Sequence, residues 1–237
     1  MPPFHAYSEG EGDRSLAYWR EVHTRFFEET LSETGIPLTG DSLVICEKFT
    51  VEYIAGDGAK DDELIFAEAT MSYADEIAAY REEMLEAGSS FDGCFSLKRM
   101  PDMKEYTDCC IGWADPSRKA DEHGAWGTVL LCLRKSDMKM VGCMQVHNVL
   151  NERMERFTGH VGYSVRPSER RRGYAKRMLA KAKDYLSSFG FDEIYVSCLP
   201  ENEASRRTIL ANGGEYIETV FLECDGVYLE RYKIRLT

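Results

Sequence analysis

The stretch VRPSERRRGYAKRML, residues 165–179, restricts this chain more than any other part of it. It joins a strand-like segment to an amphipathic helical one through a short basic loop. Pro167 and Ser168 break the strand, Gly173 lets the backbone turn with no Cβ in the way, and Ala175 keeps the first helical turn narrow. The first N–H groups of a helix have no partner inside it and favour a negative group. Arg170, Arg171 and Arg172 stand at that end, where the helix dipole is already positive. As a solvated charge run this is unfavourable, so the loop reads as the seat of an anion. A pyrophosphate would be held by backbone amides, with the arginines as outer support. No aromatic platform accompanies the cluster, which sets it apart from a single-stranded nucleic-acid site.

The charge of the whole chain sharpens this contrast. The net charge is −12, yet residues 166–183 hold eight Lys or Arg and one acid, Glu169. Residues 1–63 carry 14 acids and 5 bases, so most of the negative balance lies at the start. Such a balance argues against a nucleic-acid or anionic-membrane partner. The longest apolar run, residues 129–133, suits a buried strand and falls far short of the roughly 18 residues of a membrane helix. Residues 1–12 hold no basic patch followed by an apolar core, so the expected location is cytoplasmic. The eight cysteines form no CxxC pair and have no His at zinc-ligand spacing, which predicts free buried thiols.

Along the chain, AGDGAKDDE (residues 55–63) is Gly- and Asp-rich and reads as a linker. Before it, Leu16, Trp19, Val22, His23, Phe26, Phe27 and Leu31 repeat near the helical period, and residues 43–53 look strand-like. That unit is too small to bury a core alone. After it comes a mixed α/β pattern: a strand over 64–70, a helix from Ser72 with Asp75 as a capping-box-like partner, and a weaker helix over 102–113. Strands over 127–133 and 140–149 form a predicted hairpin, and a third covers 160–165. A strong helix over 174–189 ends at Gly190. A short strand over 194–198, a helix over 203–212 and two strands over 216–223 and 227–235 complete the pattern.

Arg170-x-x-Gly173-x-Ala175, after a strand and before an amphipathic helix, resembles the acetyl-CoA loop of the GNAT superfamily of N-acetyltransferases. Pro200-Glu201-Asn202-Glu203-Ala204-Ser205 followed by Asn212-Gly213-Gly214 resembles that family's N-x-x-S segment and its closing NGG or NGF. The string from Gly159 to Ala175 is similar to a bacterial subgroup of predicted acetyltransferases. The resemblance implies an α/β (α+β) GNAT fold over residues 64–237, a mostly antiparallel sheet splayed at a cofactor cleft between the strands 160–165 and 194–198. It implies acetyl-CoA as cosubstrate and direct attack by an amine of a small molecule or peptide. Val165, Arg170, Arg171, Arg172, Gly173, Tyr174, Ala175 and Asn202 are then the cofactor-binding set, and Ser205 and His160 the catalytic candidates. The tyrosine that many members place four residues after the N-x-x-S serine is Ile209 here. Ser205 stands as its substitute, against a simple helix-start hydrogen bond. His160 stands as a base, against a packed strand histidine. Asn202 could orient the cofactor arm or cap the helix. Glu152, Glu155 and Glu169 are expected to be exposed alternatives for the base. Homodimers are common in that family, and nothing in this sequence demands one.

The first third resembles another family. Glu11-Gly12-Asp13-Arg14-Ser15-Leu16, Trp19-Arg20-x-Val22-His23 and the run Val44 to Phe49 are similar to the C-terminal half of ASCH domains, small β-barrels related to RNA-binding modules. The expected organisation is an ASCH-like fragment over 1–56, a linker over 57–63 and the GNAT domain over 64–237. Three function classes remain at this point: an acetyltransferase acting on a primary amine, a non-catalytic acyl-CoA sensor, and an RNA-associated module using the ASCH-like segment. The acidic balance weakly favours a cationic acceptor in the first.

Overall fold

A computed structural model describes residues 50–53, 63–115 and 125–236. The helix expected over residues 16–31 and all of the linker expected over 57–63 except Glu63 lie outside these. Two antiparallel sheets form the frame. The first has five strands in chain order: β1 (Thr50–Tyr53), β2 (Leu64–Glu68), β3 (Trp126–Arg134), β4 (Met140–Val149) and β5 (Val161–Val165). The second has three, β6 (Glu193–Cys198), β7 (Gly214–Leu222) and β8 (Val227–Arg235), with β8 in the middle. β1, the last strand of the N-terminal third, pairs antiparallel with β2.

The period-2 alternation of the strands decides which helix lies on which face. Ile65, Ala67, Val129, Leu131, Leu133 and Cys143 point to one side. There they pack on Ile77, Tyr80 and Met84 of α1 (Ala74–Glu86) and Tyr106 and Cys110 of α2 (Met103–Ala114). Phe66, Leu130, Cys132, Met144, Val146 and Val161 point to the other. They meet Tyr174, Met178, Leu179, Ala182, Tyr185 and Leu186 of α3 (Tyr174–Ser188). The same α3 stripe also reaches Ile194, Val196, Tyr232 and Ile234 of the second sheet and Ile209 of α4 (Glu203–Ala211). One helix thus joins the two sheets, and each large apolar side chain it buries contributes about 1.5–3 kcal/mol.

The hairpin β3–β4, helix α2, the stop at Gly190 and strand β8 fall as the patterning predicts, and Asp102 caps α2 by accepting from the Glu105 N–H. The start of α1 does not. Ser72 lies in a 3-10 turn (Met71–Tyr73), Tyr73 is the N-cap, and no side chain caps the helix. A turn tightened to i→i+3 bonding satisfies those donors instead. A one-turn π-helix, Met154–Thr158, also precedes β5 where no element was expected. Among the described residues no helix is long and apolar enough to cross a membrane.

Candidate active site at the parting of two sheets

β5 and β6 touch at one end and then diverge. At the root, Gly159 and Val196 form an isolated bridge and the His160 N–H donates to the Tyr195 carbonyl at 2.7 Å. The Tyr195 N–H returns a bond to His160 Nδ1 at 3.0 Å, and Ser197 Oγ donates to the Phe157 carbonyl at 2.8 Å. Beyond this knot β5 is paired only with β4 among the described residues. Its other edge faces a widening gap with a row of backbone donors and acceptors that an extended amide-bearing chain can satisfy.

At the far end of β5 lies the basic loop. Arg171 and Gly173 both adopt left-handed backbone, φ 65 and 79, and Gly173 is the N-cap of α3. Two such residues one apart curl the loop towards the helix start, the kind of concavity that takes anions. A Cβ at Gly173 would meet nothing within 4 Å, so this face of the loop is open. The three arginines divide their work. Arg170 donates to the Val165 carbonyl at 3.2 Å and to Ser89 Oγ at 2.8 Å, tying the loop to β5 and to the end of α1. Arg172 pairs with Glu169 at 3.3 Å. Arg171 is exposed and makes no ion pair among the described residues. Arg166, counted in the basic run, is buried and bridges Glu76 and Glu83 of α1. Tyr174 is buried in the core, and its side chain bonds to Arg134 and to Arg172 of the loop.

Glu169 was expected to be exposed and is 5 % exposed. Burial pushes its carboxyl up, but bonds from Lys139 at 2.8 Å and Arg134 at 2.9 Å outweigh this and hold it below the usual range. A carboxylate so surrounded is a structural anchor and a poor base.

The middle of β5 carries hydroxyls. Tyr163 OH and Ser205 Oγ of α4 lie 2.9 Å apart across the gap. Burial pushes the Tyr163 phenol up to about 12, so it stays protonated and can donate. Asn202 Oδ1 accepts from the Ser205 N–H at 3.1 Å, which makes it the N-cap of α4. Ile209 is fully buried and packs against Gly214, and it offers no hydroxyl. Sequence reasoning passed over Tyr163. The signal available was the alternation of β5, which sends Tyr163 to the α4 side and Ser164 to the α1 side.

His160 sits between Phe191 and Tyr195, ring centroids at 5.2 and 5.9 Å. Burial drives it down to about 3, so the imidazole is neutral and its Nδ1 is committed to Tyr195. Ser205 and Tyr163 are brought together here, while His160 belongs to the knot at the root.

This frame, a split sheet with a phosphate-type loop at one end and hydroxyls at mid-strand, defines an acyltransferase of the thioester-using kind. The profile of the Acetyltransferase (GNAT) domain matches residues 68–215, more than half of the chain, and the chain belongs to that family. The profile of the ASCH domain matches residues 2–53. Solved structures share the fold at low identity. The ribosomal-protein-S5-alanine acetyltransferase of Vibrio fischeri is 14 % identical, with 78 % of this chain and 97 % of that one covered at a TM-score of 0.57. RimJ of Mycobacterium smegmatis, in complex with CoA-disulfide, is 19 % identical with 73 % and 82 % covered at 0.56. The microcin C7 self-immunity acetyltransferase MccE, in complex with acetyl-CoA and AMP, is 14 % identical with 77 % and 97 % covered at 0.53. No curated protein sequence matches the chain.

Proposed function

We propose that this acetyltransferase moves an acetyl group from acetyl-CoA to a primary amine of a small molecule or peptide, and that the β5–β6 gap is where it does so. The observation that carries this reading is one strand, β5, whose second edge pairs with no other strand along its length among the described residues, with a left-handed basic loop at its end and a hydroxyl pair at its middle. The residues fit the cosubstrate: an open left-handed Gly173, a helix start and an unpaired Arg171 suit a pyrophosphate, and the strand edge suits the amides of a pantetheine arm. When bound, acetyl-CoA supplies a thioester carbon open to direct attack by an amine. Val165 offers backbone to the arm, residues 170–175 offer their N–H groups and Arg171 its charge. Arg170 and Arg172 hold the loop in shape from behind. Asn202 fixes the start of α4 and through it Ser205.

Tyr163 donates to Ser205 Oγ in this reading, which leaves the serine proton free to turn into the gap towards a departing sulfur. The hydroxyl missing at Ile209 is thereby replaced from the neighbouring strand, and the sensor alternative loses its main support. His160 holds the root of the gap closed and sets its opening angle. Holding both reactants in one orientation supplies much of the acceleration.

Calorimetric titration of acetyl-CoA into the wild-type protein and into Gly173→Ala and Gly173→Glu variants tests the site. The expected result is micromolar binding that survives Gly173→Ala, weakened at most about tenfold by the strained backbone, and is lost in Gly173→Glu. No binding to the wild type would overturn the reading.

A further inference from the structure

We propose that Glu68, Thr128 and Asn148 form a binding site for a monovalent metal cation, between the first sheet and α3 at the end away from the basic loop. This goes beyond the acetyl transfer proposed above and does not depend on it.

Three strands bring these side chains to one face. Along β2, Ile65 and Ala67 pack on the α1–α2 side and Leu64 and Phe66 on the α3 side, so alternation sends Glu68 towards α3. Glu68 pairs with Leu130, and Thr128 is the next residue of β3 on the same face. Its hydroxyl lies 3.2 Å from Tyr185 OH of α3. In β4 the pairing skips Asn148: Gly127 pairs with His147 and Trp126 with Val149. A residue left over in this way makes a bulge, and a bulge re-aims its side chain. Here it turns to α3, where the Tyr185 hydroxyl faces both Thr128 and Asn148 and feels the charge of Glu68.

What the fold leaves unmet points to a ligand. Asn148 is 4 % exposed, and although it faces Tyr185, neither its amide oxygen nor its amide nitrogen reaches a partner at hydrogen-bond geometry. The hydroxyl of Thr70, two residues beyond Glu68 and also buried, has no partner either. Only burial acts on the Glu68 carboxyl, which has no hydrogen bond and no ion pair among the described residues. Buried polar groups are as a rule satisfied, and a carboxylate beside an unmet amide is costly unless something positive joins them. The donors facing the site are the Glu68 carboxylate, the Asn148 amide oxygen and the Thr128 hydroxyl, a set of hard oxygens that suits alkali and alkaline-earth ions. One carboxylate among neutral oxygens balances one positive charge, which favours sodium or potassium over calcium. Glu68 is partly exposed, and with Thr128 it lines a small cavity beside the end of α2, which gives the ion a way in.

The test is thermal unfolding of the full-length protein at about pH 8, where the carboxyl is ionised, in the chlorides of sodium, potassium and tetramethylammonium at equal ionic strength. At least one alkali ion should raise the midpoint by about 2–4 °C over tetramethylammonium, which is too large for the site. Glu68→Gln and Asn148→Leu, each compared with itself across the salts, should lose that shift. In tetramethylammonium chloride Glu68→Gln should outlast the wild type, because nothing then offsets the buried charge. A crystal structure of the wild type in the ion giving the larger shift needs no variant to fold, and the ion should touch Glu68 and Asn148 Oδ1. Equal midpoints in the three salts, the same shift in wild type and variants, or ordered water alone between Glu68 and Asn148 overturns the site.

Discussion

At the residue scale, the two hydroxyls across the gap carry the sharpest expectation. Tyr163→Phe removes the donor to Ser205 and keeps the ring, so kcat should fall about ten- to a hundredfold with KM for acetyl-CoA little changed. Ser205→Ala should cost as much, and the double variant little more than either, because the two act as one unit. Steady-state kinetics on the four proteins decide it, and additive losses would separate the residues. The loop motif was legible because it is local: Arg170, Gly173 and Ala175 lie within six residues of one another and carry their own backbone geometry. Ser205 was legible for the same reason. Tyr163 was not, since it gains meaning only from Ser205, far along the chain. The excess of arginine read as one anion site was only partly that. Arg166 and Arg172 answer to buried or neighbouring carboxylates, which a charge count cannot distinguish from ligand contacts.

At the scale of elements, Gly93 (φ 75), in the segment between α1 and α2, packs directly on Gly162 of β5, leaving no room for a Cβ. Gly93→Ala places a methyl against the Gly162 carbonyl and forces a left-handed alanine. It should destabilise the protein by about 2–4 kcal/mol, measured by urea unfolding. Gly173→Ala, equally left-handed but facing open space, should cost only about 1 kcal/mol. Similar losses in the two variants would mean that the segment yields. The sequence marked α3 clearly, because Met178, Leu179, Ala182, Tyr185 and Leu186 repeat at the helical period and all are buried. It misjudged the start of α1, where Ser72 and Asp75 have the spacing of a reciprocal cap but the chain takes a 3-10 turn first. Residues 89–101 gave no periodic signal at all, since turns pinned by tertiary contacts have none, and this is the segment that packs on β5 through Gly93.

For the molecule as a whole, buried titratable groups set opposing limits on stability. His147 and His160 are driven by burial to about 4 and about 3, below their ordinary 6.5. They stay neutral in the fold, so their contribution is complete above about pH 6.5 and is lost as pH falls towards those values. Glu68 goes the other way. Burial raises it from 4.5 to about 7, so its contribution is present below 4.5 and lost as pH rises through 7. Glu68→Gln should therefore gain on the wild type between about pH 4 and about pH 8, by on the order of 2 kcal/mol in urea unfolding. A pH-independent difference would show that the carboxyl is hydrated. The order of strands and helices was readable from alternation and turn residues; the parting of β5 from β6 was expected only through the family resemblance, because alternation does not say where two strands stop pairing. That division has a consequence for life at high concentration. A bare strand edge invites any passing chain to add to it and begin an aggregate. Here the edge is turned inward, with β6 as the opposite wall and the Gly159–Val196 bridge as a floor. A chain that came to pair there would have to enter between the two walls, which the open edge of an ordinary sheet does not require.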